Sequence, residues 1–122
     1  MAKILLVDDT RTVRSICNKI VSSMGFEVLE AENGEVALKT VRDNPDLKMI
    51  LLDWHMPVMD GMTFLKTLRG DCSLTQPLVV MCTTQNRIQD ISAALSAGAD
   101  EFIMKPFTEE IVREKIFEAG VN

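Results

Sequence analysis

Five short apolar runs, at residues 3–7, 26–31, 49–52, 78–82 and 101–104, alternate with five segments whose apolar residues recur at helical spacing. This alternation constrains the fold more than any other feature. Parallel strands cannot be joined by tight hairpins; each pair needs a crossover, usually a helix. Strand followed by helix, repeated throughout, predicts an α/β fold: an open, doubly wound parallel (βα)5 sheet with helices on both faces. Strands covered on both faces read as unbroken apolar runs. Ile4-Leu5-Leu6-Val7 and Met49-Ile50-Leu51-Leu52 are of that kind. Residues 26–31 alternate more, with Glu27 and Glu30 turned out, as suits an edge strand or a less covered position.

The intervening segments carry helix signals. Val13, Ile16, Cys17, Ile20, Val21 and Met24 form the apolar stripe of the first, which Gly25 ends as a left-handed cap. Arg11, Arg14, Ser15, Asn18 and Ser22 occupy its opposite face. Asn33 caps the second helix, which stops at Asn44-Pro45. Asp60-Gly61 opens the third, with Phe64, Leu65 and Leu68 inward. Ile88, Ile91 and Leu95 mark the fourth, ended by Gly98. Thr108 caps the fifth, with Glu109 and Glu110 placed to suit its dipole.

Polar residues end four of the five strands: Asp8-Asp9, Asp53, Thr83-Thr84 and Lys105. In a parallel sheet these ends share one edge, where open α/β sheets bind ligands. One polar strand end means little, since Asp53 alone would pass for a turn residue; four on one edge point to a site. Two like charges about 4 Å apart cost roughly 4 kcal/mol at an effective dielectric of about 20. Three carboxylates together should therefore hold a proton or a cation. An all-oxygen donor set without a Cys or His cluster favours Mg²⁺ over zinc. Lys105 and the Thr83 hydroxyl complete a clamp for a phosphoryl group beside Asp53, and aspartate can serve as a covalent phosphoryl acceptor.

Composition narrows the classes. A net charge of −5 argues against a nucleic-acid interface. No apolar run approaches the ~20 residues of a membrane span. The stretch after Lys3 is too short for a signal peptide and is cut by Asp8-Asp9, so a cytoplasmic location is expected. Cys17, Cys72 and Cys82 are odd in number and lack C-x-x-C spacing; they read as reduced thiols, with Cys17 and Cys82 in core contexts. Residues 1–122 are expected to form one domain, without an output domain after the last helix. A flavin-binding module of the same fold would need a Ser/Thr/Gly-rich phosphate loop where Asp8-Asp9 stands. A phosphatase of the haloacid dehalogenase type would carry D-x-D after the first strand, which Asp8-Asp9-Thr10 does not match, and usually a cap domain.

With an acidic pair after the first strand, D-x-x-M-P-x-x-D-G after the third, Thr after the fourth and K-P after the fifth, essentially the whole chain resembles the receiver domain of two-component response regulators. The single-domain, CheY-like chemotaxis regulators are most alike, including the Trp directly after the acceptor Asp. The resemblance implies the flavodoxin-like strand order 2-1-3-4-5. It implies that Asp53 accepts a phosphoryl group from a sensor histidine kinase or histidine phosphotransfer protein. Mg²⁺ would be held by Asp9, Asp53 and the backbone carbonyl of His55, with Asp8 acting through water. Thr83 and Lys105 would contact the phosphoryl oxygens. Phe102 would be the switch ring, moving inward as Thr83 moves towards the phosphate and remodelling a surface around Gln89, Ser92, Ser96, Glu101 and Arg113. A downstream target such as a flagellar motor switch protein would bind the helix 4–strand 5–helix 5 face. The chain would be a monomeric, non-enzymatic signalling protein, promoting only its own phosphorylation and dephosphorylation. A phosphate sink, a phosphorelay intermediate and a phosphorylation-independent adaptor are the alternatives. The bond before Pro106 is often cis in the family.

Thr84 departs from the usual Ala or Gly, the switch ring is Phe rather than Tyr, and His55 and Gln85 occupy variable positions that tune phosphoryl lifetime in the family. His55, the only histidine, is weak evidence for zinc and is expected to face solvent. Trp54 is expected as a partly exposed ring, and Met56, Met59 and Met62 as packing. Arg11 and Arg14 make either a solvated helix face or part of the kinase-docking surface that the family commonly uses.

Overall fold

A computed structural model describes residues 2–84 and 87–120. Its elements are β1 Lys3–Val7, α1 Arg11–Ser23, β2 Glu27–Ala31, α2 Gly34–Asp43, β3 Leu47–Asp53, α3 Gly61–Gly70, β4 Leu78–Thr83, α4 Ile88–Ser96, β5 Glu101–Met104 and α5 Glu109–Glu118. All strand pairs are parallel, in the order β2-β1-β3-β4-β5. β3 lies at the centre, and β2, with Glu27 and Glu30 exposed, lies at an edge, one of the two placements its alternating sequence suits.

Side-chain alternation splits the core in two. Leu5, Ile50, Leu52, Val79 and Met81 point to one side and pack with Phe64, Leu65, Leu68 and Ala94 from α3 and α4. Ile4, Leu6, Met49, Leu51, Val80 and Ile103 point to the other, against Cys17, Ile20 and Val21 of α1 and Val112 and Ile116 of α5. Caps form where the sequence placed them. Asn33 accepts from the Val36 amide at 2.9 Å, Asp60 from Thr63 at 2.8 Å and Thr108 from Ile111 at 3.3 Å. Gly25 and Gly98 take the positive φ values, +92° and +113°, that suit helix ends. The Lys105–Pro106 bond is cis.

Three placements follow from packing and not from spacing. The fourth-helix stripe is largely outside: Ile88 is 80% and Leu95 44% exposed, Ile91 is half-buried, and Ala94 is the one buried residue of α4. Ile16, counted in the first-helix stripe, is 54% exposed because the seam turns through Cys17, Ile20 and Val21 instead. Arg113 belongs to the α1 side of α5. With Val112 and Ile116 pointing inward, position 113 falls towards α1 and donates to Ser23 Oγ at 2.6 Å, whereas Lys115 meets Glu101 at 3.4 Å.

Candidate functional site

The carboxyl ends of β1, β3, β4 and β5 bring Asp8, Asp53, Thr83 and Lys105 to one edge. Asp53 is the last residue of β3, inside the strand and paired with Cys82, so its backbone is held by the central ladder. Beyond it, the Trp54 amide donates to the Cys82 carbonyl at 3.2 Å and Gly61 donates back to the Trp54 carbonyl at 2.8 Å. This folds the 54–60 loop over the strand end. Gly61 is needed there, since a Cβ would run into the Asp53 carbonyl oxygen. The loop is anchored again where the Gly34 amide donates to the Met59 carbonyl at 3.1 Å. Between these anchors Val58 adopts φ +69°, which a β-branched residue rarely does.

One carboxylate oxygen from each of Asp8, Asp9 and Asp53 lies within 4.8 Å of the others. Asp8 and Asp53 are buried and Asp9 is exposed, so the cluster opens to solvent on the Asp9 side. Lys105 Nζ donates to Asp8 Oδ2 at 3.0 Å and to Asp53 Oδ1 at 3.1 Å. Burial, then the neighbouring Asp8 charge, pushes the Asp53 carboxyl above the ordinary carboxylate range, against the pull of Lys105. Lys105 responds the other way. Burial pulls its ammonium down, but the hydrogen bond to Asp8 and the charges of Asp53 and Asp8 outweigh that and hold it above its ordinary value. One cation therefore does not fully compensate the carboxylates. An all-oxygen cluster with excess negative charge and an open side fits a hard divalent ion such as Mg²⁺.

Thr83 is buried at the end of β4, and the Lys105 amide donates to its carbonyl at 2.8 Å. Phe102 pairs with Met81 and Met104 with Thr83, so Phe102 and Thr83 project from the same side of the sheet on adjacent strands. Phe102 is half-buried against the α3–α4 core. The His55 ring is exposed and stacks on Trp54, centroids 6.2 Å apart with 19° between planes. Trp54 is half-buried, and Met56, Met59 and Met62 pack against the core, as expected. Thr84 is exposed, and Gln85 lies outside the described residues. Burial raises the Cys17 thiol to about 11 and the Cys82 thiol to about 12, in keeping with inert packing.

Sequence reasoning undervalued two features. The helical spacing puts Arg14 with Arg11 on a polar face, yet its side chain is only 14% exposed and its Nη1 reaches the Asp8 carbonyl. No local signal marks this contact, because its carboxylate partner, Glu30, lies on a different element, β2. The Asp8 carboxylate also accepts from the Thr10 amide at 2.8 Å, a local turn that Asp followed two residues on by a small polar residue could have suggested.

Residues 4–117 match the family model described as the response regulator receiver domain. The chain is 38% identical to the chemotaxis protein CheY1 of Helicobacter pylori, over 93% of both sequences. It is 36% identical to the CheY homolog of Campylobacter jejuni, over 93% of this chain and 88% of that one. Among solved structures it superposes on CheY4 of Vibrio cholerae with a TM-score of 0.90 at 28% identity, covering 98% of each chain. It superposes on a chain of the Borrelia burgdorferi CheX–CheY–BeF3–Mg complex with a TM-score of 0.91 at 28% identity, covering 99% of this chain and 90% of that one. With the family motif matched almost end to end and the fold of its members reproduced, the chain belongs to the response regulator receiver domain family, among its CheY-like chemotaxis proteins.

Proposed function

We propose that this chain is a phosphorylation-activated signalling switch in which Asp53 is the phosphoacceptor. The observation that carries the reading is the Lys105 ammonium bridging Asp8 and Asp53 within a cluster of three carboxylates. Asp53 offers an oxygen to the phosphorus of a phosphohistidine on a sensor kinase or phosphotransfer protein; the P–N bond breaks and the imidazole nitrogen keeps the electron pair. Asp8 and Asp9, with Asp53 and the His55 carbonyl, are the residues that would hold Mg²⁺. When bound, the ion supplies charge neutralisation for the incoming phosphoryl oxygens. Lys105 supplies a second positive charge, and Thr83 a hydroxyl donor, at the same edge. Catalysis of this kind is chiefly positioning and electrostatics.

Output is carried by the face of α4, β5 and α5. Ile88 and Leu95 of α4 expose apolar surface, which suits a protein target such as a flagellar motor switch component or a partner of the CheX kind. The chain acts as a receiver domain without enzymatic turnover of its own, as a monomer in the cytoplasm, without nucleic-acid or membrane partners.

Labelling tests the acceptor. Incubation with acetyl phosphate or a phosphorylated kinase should give a base-labile acyl phosphate in wild type and none in a folded Asp53→Asn variant. Full labelling of that variant would sink the assignment. Pull-downs with and without beryllofluoride then separate a switch from a phosphate sink, since only a switch gains a partner.

A further inference from the structure

We infer that Arg14 is a positioning residue for the cation site, holding the turn that presents Asp8 and Asp9. This rests on the reading of the acidic cluster as a Mg²⁺ site. Arg14 leaves α1 one turn after the β1–α1 connection and is directed back towards the strand end. Its Nη1 donates to the Asp8 carbonyl at 2.6 Å, and its Nε donates to Glu30 Oε1 at 2.9 Å. Glu30 is fixed in turn, because its Oε2 accepts from Asn18 Nδ2 at 2.9 Å and Asn18 Oδ1 accepts from Ser22 Oγ at 2.8 Å. A ladder of polar contacts thus runs along α1 and across to β2, and it ends on one carbonyl.

That carbonyl belongs to the peptide linking Asp8 to Asp9. A peptide unit is planar, so clamping its oxygen sets the plane and with it the Cα position of Asp9. The other side of Asp8 is held independently: its amide donates to the Ala31 carbonyl at 3.1 Å, and its carboxylate is held by the Thr10 amide and Lys105. For exposed Asp9 the described structure shows no side-chain hydrogen bond or ion pair. Its place in the cluster therefore depends on the backbone of the turn, and Arg14 grips that backbone. The forked guanidinium spans carbonyl and carboxylate together, which a lysine ammonium, a single point on a flexible stem, does not do.

A pure charge effect has the opposite sign. If Arg14 mattered only as a positive charge beside the cluster, removing it would tighten Mg²⁺ binding. If it positions the turn, removing it loosens binding, by about tenfold when compared with groups that orient metal ligands elsewhere.

Mg²⁺ titrations followed by Trp54 fluorescence, on wild type, Arg14→Gln, Arg14→Lys and Glu30→Gln, decide between them, with thermal unfolding in chelator as the fold control. The expected result is an apparent Kd raised about tenfold in both Arg14 variants and a few-fold in Glu30→Gln, each measured on folded protein. Unchanged or tighter binding in Arg14→Gln, or wild-type affinity in Arg14→Lys, would overturn the inference. Should Arg14→Gln fail to fold, Glu30→Gln carries the test, and wild-type affinity there is equally fatal. A wild type that binds no Mg²⁺ at all would instead refute the underlying metal-site reading.

Discussion

Replacing Lys105 by Met keeps most of the aliphatic stem and deletes a charge that touches both buried carboxylates. In wild type the ammonium sits 3.0 Å from Asp8 and 3.1 Å from Asp53, and each aspartate is 7% exposed. Without it, carboxylate oxygens within 4.8 Å repel by about 3 kcal/mol at an effective dielectric near 20. That matches the cost of about 3–5 kcal/mol for removing one partner of a buried ion pair. For a chain of 122 residues, 3 kcal/mol lowers Tm by about 12 °C. The pH dependence has a definite sign. Asp53 is already pushed above its ordinary value of 3.8, and loss of Lys105 removes what pulls it down. Folded protein then binds a proton that unfolded protein has released, so stability falls as pH rises through the window above 3.8. The deficit of Lys105→Met relative to wild type should therefore be large at pH 7.5 and shrink towards pH 4.5, and millimolar Mg²⁺ at pH 7.5 should shrink it too. Paired thermal melts at both pH values, with metal or chelator, measure this. An equal deficit under all conditions would show that carboxylate repulsion is not what Lys105 relieves.

Val58→Asn should raise stability by about 1 kcal/mol, or about 4 °C, by removing a β-branched side chain from φ +69°; an unchanged or lower Tm would mean the loop relaxes at no cost. Gly61→Ala should cost on the order of 2 kcal/mol and slow labelling of Asp53, because the added Cβ meets the Asp53 carbonyl and comes within 2.9 Å of Trp54 Cα. Wild-type labelling kinetics in that variant would count against the loop geometry. Phe102→Ala and Thr83→Ala should leave Asp53 phosphorylatable but lose most of the coupling to a partner, on the order of 1–3 kcal/mol. Amide shifts on adding beryllofluoride are the measure. Wild-type shifts that stop at the 54–60 loop and never reach Phe102 or α5 would exclude this route.

Much of this protein is legible one residue at a time. The unbroken apolar runs at Ile4–Val7 and Met49–Leu52 require strands covered on both faces, and parallel strands joined by helices put all their carboxyl ends on one edge. The identity of the residues at those ends, Asp8-Asp9, Asp53, Thr83 and Lys105, then sets the chemistry available. Caps at Asn33, Asp60 and Thr108 are local too, because each side chain satisfies an amide three residues on. Periodicity alone could not settle which apolar helix residues are buried. Ile88 and Leu95 have the spacing of a core stripe, yet α4 rests on the sheet through Ala94, and only the neighbouring elements determine how deeply a helix sits. Nor could it tell Arg113 from Lys115, since which flank of α5 faces α1 depends on how α5 is rotated about its buried Val112 and Ile116. Arg14 is the sharpest case. Nothing between positions 8 and 14 announces a bond, and Glu30 lies 16 residues further on. It becomes a support for Asp8 only because β2 packs beside β1 and brings that carboxylate against α1. Such contacts depend on distances that chain topology creates, whereas local spacing reports only what neighbours in sequence can do.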